Sequence, residues 1–259
     1  MPAAAHKGAI AFGLVYIPVS LYTAVSEGGV SFNQLHKDSM ARIRYKKVRA
    51  DTGDEVPPEQ IVRGYQSERD RYVVLTDEEI EAVKTPKDKT ITILHFAPNG
   101  SIDPIYYDKT YYAAPDGADK AYALLREAME RQIVVAVAKT VLGTRESLLC
   151  LSPGHEGIIV ETLHYMSEIK SVPKAFVQPE LTEAERSMAA ALIQAMTGPF
   201  QPEQYRDEYE VRLRAAIEGK INGQEVAAAQ PQQAGNVIDL MEALQRSLAQ
   251  KAPEKAGVV

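Results

Sequence analysis

Between His36 and Arg49 the chain sets six cations, Lys37, Arg42, Arg44, Lys46, Lys47 and Arg49, against one carboxylate, Asp38. Five of the six fall in RIRYKKVR (42–49), although the 259-residue chain has a formal net charge of −6. Lys and Arg at this density suit phosphate, because contacts to phosphate oxygens neutralise charge without reading bases. In an extended chain Arg42, Arg44 and Lys46 project from one face, with Ile43, Tyr45 and Lys47 on the other. A solvated edge strand that uses charge to resist aggregation would look the same. The acidic stretch DTGDE (51–55) follows directly, so the local field is a dipole.

Catalytic signatures are scarce. The five histidines (His6, His36, His95, His155 and His164) include no HExxH pair. His155 and Glu156 are adjacent in the turn SPGHEG, and neighbours in a tight turn rarely converge on one substrate. His95 and His164 fall in strand-like stretches, where a structural role is the default. Cys150, within LLCL, reads as a small buried hydrophobe. No phosphate-cradling glycine loop is present. Asp77, Glu78 and Glu79 fit a helix N-terminus. Tyr106, Tyr107, Tyr111 and Tyr112 could stack on bases, but core and cross-strand packing is the commoner use. No catalytic residue is expected.

The elements that hold these residues are mostly strands in the first half. The stretches 8–24, 90–97, 101–114, 133–142, 147–152 and 157–166 are rich in apolar and β-branched residues and separated by PNG, PDG and SPGHEG turns. Pro18 marks an edge or a bulge. Thr76 with Glu79 has capping-box spacing, and Tyr122, Leu125 and Met129 recur at helical spacing. From about residue 178 the pattern becomes helical. Thr182 and Glu185 form a second capping box before an apolar face of Met188, Ala191, Leu192, Ala195 and Met196. Tyr205, Tyr209, Leu213, Ala216 and Ile217 make the stripe of the next helix. NGQEVAAAQPQQAGN reads as a linker. NVIDLMEALQRSL (236–248) is an amphipathic helix with Val237, Leu240, Met241, Leu244 and Leu248 on one side, followed by a tail expected to be disordered. No internal repeat is visible.

Composition sets the outer bounds. Hydrophobic content of 45% and charged content of 25% are ordinary for a globular protein. No apolar run reaches the roughly 18 residues of a membrane-spanning helix, so no membrane partner is expected. The N-terminus lacks the pattern of a signal peptide. A single cysteine permits no internal disulfide and fits a reducing, cytosolic compartment.

Several stretches, in order, resemble the bacterial Ku family, the DNA-end-binding proteins of non-homologous end joining. They are KGAIAFGLVYIPVSLYTA, SFNQLHKD with RIRYKKV, EQIVRGYQSERDRYVVLTDEEIEAV, IDPIYYDKTYYAAPDGADKAYALLREAM, GIIVETLHYMSEIK and the terminal NVIDLMEALQRSL. The resemblance implies a mixed, β-rich fold: a Ku-type β-barrel core with extended bridging strands (1–175) and a C-terminal helical arm (176–219). A flexible linker (220–235) and a terminal helix and tail (236–259) would follow.

The resemblance further implies a homodimeric ring threaded by double-stranded DNA ends, without sequence specificity. Lys37, Arg42, Arg44, Lys46, Lys47 and Arg49 would border the channel, with Arg42, Arg44 and Lys46 the first choices for phosphate. Helices at 182–196 and 203–217 would embrace the other subunit. Val237, Leu240, Met241, Leu244 and Leu248 would recruit DNA ligase D. A cytoplasmic, nucleoid-associated location follows, and no cofactor is expected. The rival readings are an open-groove DNA-binding protein and an oligomeric scaffold that binds only proteins.

The chain departs from the family pattern in three places. Some members carry Cys-x-x-Cys where Arg49 and Thr52 stand, so no metal is expected. His6 stands where a tryptophan is usual. The tail is only weakly basic, with Lys251 and Lys255 against Glu254.

Overall fold

The apolar stretch 8–24 does not run as one strand. Gly13 adopts φ +57°, the left-handed region open to glycine, and with the fully exposed Leu14 it reverses the chain. The result is a hairpin of β1 (His6–Phe12) and β2 (Val15–Thr23), with Phe12 opposite Val15. The computed structural model describes residues 3–26, 28–69, 71–83, 89–143, 145–173 and 179–224. They fall into two compact units: the described residues of 1–28 and 33–171, and those of 29–32 and 172–224.

The first unit is built on a closed seven-stranded barrel. Its order is β1, β2, β6 (Tyr107–Pro115), β9 (Ile158–Leu163), β8 (Arg145–Pro153), β7 (Val134–Leu142) and β5 (Thr90–Pro98), which returns to β1. Every pairing is antiparallel except the closing one, where Ala9, Ile10 and Ala11 run parallel to Thr90, Ile91 and Thr92. Pro18 sits where β2 has only β1 beside it. The β6 ladder starts at Val19, so the missing N–H costs no rung, and the Pro18 carbonyl accepts from the Asp116 N–H at 2.9 Å. The expected strand at 101–114 is shorter in the structure. Asp103 caps a 3-10 turn at Pro104–Tyr106, and β6 begins after it.

One apolar cluster fills the barrel. It joins Ile10, Ile17, Val19, Leu21, Ile91, Leu149, Leu151, Ile158 and Val160 to Tyr122, Leu125 and Met129 of the helix α2 (Asp119–Gln132). β7 is apolar on both faces over most of its length, which suits a strand covered on both sides. The buried Tyr122 hydroxyl donates to the Ala113 carbonyl at 2.5 Å and accepts from the Ile158 N–H at 2.6 Å. It thereby ties α2 to β6 and β9, and a buried polar pair of this kind is costly to leave unmade.

The described residues between β2 and β5 form no part of the barrel. They include β3 (Arg63–Glu68) paired with β4 (Arg71–Leu75), and the short α1 (Asp77–Ala82). The capping box is present at α1, with Thr76 N–H donating to Glu79 Oε2 and Glu79 N–H to Thr76 Oγ1.

In the second unit α3 (Glu183–Met196) opens on the expected Thr182–Glu185 capping box. The next helix starts later than its sequence pattern suggests. Asp207 caps α4 (Glu208–Ile221), while Tyr205 ends a 3-10 turn and stacks on Phe200. Neither helix has a fully buried residue. Met188 and Leu192 of α3 and Leu213 and Ile217 of α4 are half-buried. No described helix is long and apolar enough to cross a membrane.

Candidate nucleic-acid interface

The basic stretch is not an edge strand. Residues 34–56 make two successive turns with the same hydrogen-bond pattern, displaced by thirteen residues. In the first, Ile43 N–H donates to Gln34 O, His36 N–H to Ala41 O and Met40 N–H to His36 O. In the second, Val56 N–H donates to Lys47 O, Arg49 N–H to Asp54 O and Gly53 N–H to Arg49 O, all at 2.9–3.0 Å. Isolated bridges follow the same displacement, Leu35 with Arg42 and Val48 with Glu55. Each turn places its seventh residue in the left-handed region, Met40 at φ 54° and Gly53 at φ 78°. A repeat thus exists in the backbone, where the residues show none.

RIRYKKVR connects the two turns. Arg42 closes the first, Val48 and Arg49 open the second, and 44–46 span the gap outside any ladder. A strand pairing therefore does not impose the one-faced row of Arg42, Arg44 and Lys46. Every residue from 42 to 49 is exposed. Tyr45 is fixed by its hydroxyl, which donates to Gln34 Oε1 at 2.7 Å.

The cations divide into two sets. Lys46 Nζ lies 2.6 Å from Glu55 Oε2, and Arg49 reaches Asp51 by Nε at 3.1 Å and Nη2 at 2.6 Å. The Arg49 guanidinium holds the Asp51 carboxyl below the usual carboxylate range. Lys37, Arg42, Arg44 and Lys47 have no carboxylate partner among the described residues. The acidic stretch after the basic one therefore does more than shape the local field. It folds back on two of the six cations, through contacts that depend on a turn sequence reasoning did not see.

The β3–β4 ribbon, in the same unit, is exposed along its whole length. Its apolar residues Tyr65, Tyr72, Val73, Val74 and Leu75 have no covering layer among the described residues. A lone two-stranded ribbon is marginal in water, so these side chains favour a surface that covers them. Arg63 and Arg71 pair loosely with Asp77 and Glu68, at 3.7 and 4.0 Å.

The other residues singled out in the sequence divide between packed and exposed positions. Cys150 is buried and its thiol is pushed up to about 11 by burial, 3.9 Å from the Tyr107 hydroxyl. Tyr106 and Tyr107 pack on the small cluster of Val135, Cys150 and Leu163, and Tyr111 packs on the main core. Only Tyr112 of the four is exposed. His164 lies one residue past β9, with Nδ1 3.5 Å from Glu168. His95 is exposed beside a bulge in β5, and His155 is exposed in its turn. His6 begins β1 with its Nε2 buried and unpartnered. The segment expected to form the terminal helix, with Val237, Leu240, Met241, Leu244 and Leu248, lies outside the described residues.

Donor chemistry does not fit a metal at the turns. Arg49 and Thr52 offer a guanidinium and a hydroxyl, not thiolates, and His36 Nδ1 is engaged with Ser39 Oγ at 3.0 Å. No cluster of three or more His, Cys, Asp or Glu residues is placed to hold an ion among the described residues.

Residues 11–196 match the family model described as the Ku70/Ku80 beta-barrel domain. The non-homologous end joining protein Ku of Lachnoclostridium phytofermentans is 49% identical over 254 residues, which cover 97% of this chain and 99% of that protein. The protein of the same name from Desulfitobacterium hafniense is 39% identical, over 96% of this chain and 88% of its own length. The one from Archaeoglobus fulgidus is 39% identical, over 95% and 98%.

Proposed function

The chain belongs to the Ku family, and on that premise we propose that it is a non-catalytic homodimeric ring that binds double-stranded DNA ends without sequence specificity. The ring threads onto an end and recruits DNA ligase D for non-homologous end joining, in the cytoplasm and at the nucleoid, without a metal or cofactor. The observation that carries the reading is the exposed double turn at 34–56. Four of its cations have no carboxylate partner among the described residues, in a chain whose net charge is −6. Phosphate contacts from Lys37, Arg42, Arg44 and Lys47 are indifferent to base sequence.

Two further features support a dimer. The β3–β4 ribbon carries uncovered apolar residues, and α3 and α4 have amphipathic patterns with no fully buried face. In this reading 1–175 is the core with its DNA-encircling bridge, 176–219 the arm that embraces the second subunit, 220–235 a linker and 236–259 the ligase-recruiting end. α4 runs to Ile221, so it takes the first residues of that linker.

Threading has a geometric test. A linear duplex loaded with the protein and then blocked at both ends is expected to retain it through a high-salt wash, while an unblocked duplex releases it. Release from both at the same rate would point instead to an open groove, whose phosphate contacts weaken steeply with salt.

The recruitment role has its own test. Removing residues 236–259 is expected to leave dimerisation intact and to weaken stimulation of ligase D, read as joined duplex per unit time. Stimulation at the full-length rate would remove the terminal helix from the proposal.

A further inference from the structure

Two carboxylates in the second turn occupy cations that the proposed DNA contact would use, and this inference rests on that reading of the turns. We propose that Asp51 and Glu55 compete with phosphate for Arg49 and Lys46 and so set the strength with which the chain holds DNA. The geometry resembles phosphate recognition. Arg49 presents two nitrogens to the two oxygens of Asp51, the fork arrangement a guanidinium also offers to phosphate. Lys46 meets one oxygen of Glu55 at 2.6 Å.

The backbone delivers both carboxylates. Arg49 N–H to Asp54 O and Val56 N–H to Lys47 O close the turn, and closing it brings 51 and 55 back beside 49 and 46. The four side chains are 56–68% exposed, so water and ions weaken the pairs enough for a polyanion to open them.

Such exchange changes how the cations count. A cation held by a carboxylate neutralises no phosphate, so it displaces none of the counterions condensed on the duplex. Lys37, Arg42, Arg44 and Lys47 contribute in full, while Lys46 and Arg49 contribute only to the extent that phosphate displaces their carboxylates. Asp51 and Glu55 thus lower affinity for the duplex and keep Lys46 and Arg49 largely out of the count of neutralised phosphates.

The test uses the full chain carrying Asp51→Asn and Glu55→Gln, which keep side-chain size while removing both charges. A labelled blunt-ended duplex is titrated by fluorescence anisotropy at several salt concentrations. Kd is expected to fall by about tenfold at low salt for a dimer with four released cations. The slope of log K against log salt is expected to steepen by roughly 2 to 4. The control chain carries Asp54→Asn and Glu59→Gln, the same change in charge at carboxylates with no ion-pair partner among the described residues. It is expected to gain less than about threefold, by long-range field alone.

Unchanged or weaker binding by the first variant, or an equal gain by the control, overturns the proposal. A chain with Arg42, Arg44 and Lys47 changed to Glu separates the two readings. If that chain still binds like the parent, the phosphate-contact reading itself fails. If it loses binding while the Asp51/Glu55 variant behaves like the parent, only the competition fails.

Discussion

Changing Arg42, Arg44 and Lys47 together to glutamate is expected to lower affinity for a linear duplex by at least on the order of 10³-fold at moderate salt. These three have no carboxylate partner among the described residues and lie on an exposed segment that contributes nothing to the barrel core. In a two-fold dimer the substitution removes six cations and installs six anions, so attraction to phosphate becomes repulsion. Because log affinity falls with log salt in proportion to the phosphates neutralised, the slope should flatten as well. Circular dichroism and size-exclusion chromatography should show an unchanged fold and dimer. Unaltered DNA affinity in a folded dimer would move the binding surface away from these turns. Lys46 is left out because Glu55 already holds it, so its reversal would mix loss of a DNA contact with loss of an ion pair.

The largest effect on stability is expected from Gly8→Ala. Gly8 lies where β1 meets β5 in the parallel seam, one residue before the Ala9–Thr90 pair. A Cβ there would come 2.0 Å from the Lys89 carbonyl oxygen and 3.1 Å from its carbon. Those are backbone atoms, so relief requires the two strands to part rather than a side chain to rotate. An overpacked site of this kind costs about 3 kcal/mol or more, which lowers Tm by roughly 6–12 °C in a chain of this size. Gly198→Ala is the comparison, because nothing lies within 4 Å of its Cβ position and its φ is ordinary. That change should stay within about 0.5 kcal/mol of the parent. Equal melting of the two variants would mean that the seam yields more easily than its geometry implies.

What the sequence made legible was mostly local. Thr76 with Glu79 and Thr182 with Glu185 announce their helices because a capping box needs only residues three apart. The stripe of Leu213, Ala216 and Ile217 likewise needs nothing beyond its own helix. The hairpin at Gly13–Leu14 was hidden because apolar residues continue on both sides of the turn. The closing partnership of β1 with β5 joins strands far apart in the chain, and no local pattern encodes it. The barrel was expected from family resemblance, not from periodicity.

At the candidate site the residue types were legible and their arrangement was not. R-I-R-Y-K alternates as a strand would, yet the backbone bends into two turns whose matching hydrogen bonds join unlike residues, His36 with Ala41 and Arg49 with Asp54. A main-chain repeat leaves little trace in side chains when one turn uses methionine and the other glycine at the left-handed position. The ion pairs of Asp51 and Glu55 depend on that bend and were invisible for the same reason.

The placement of 24–89 between two barrel strands has a further consequence. The chain leaves the barrel at Thr23 and rejoins it at Thr90, opposite β1, so everything between behaves thermodynamically as one long loop. Loop-closure entropy grows only logarithmically, and doubling such an excursion costs about 0.6 kcal/mol. Sequence drift, lengthening or loss of a motif within the excursion therefore scarcely taxes the scaffold that carries it. The barrel can remain constant while the excursion between its strands changes in length.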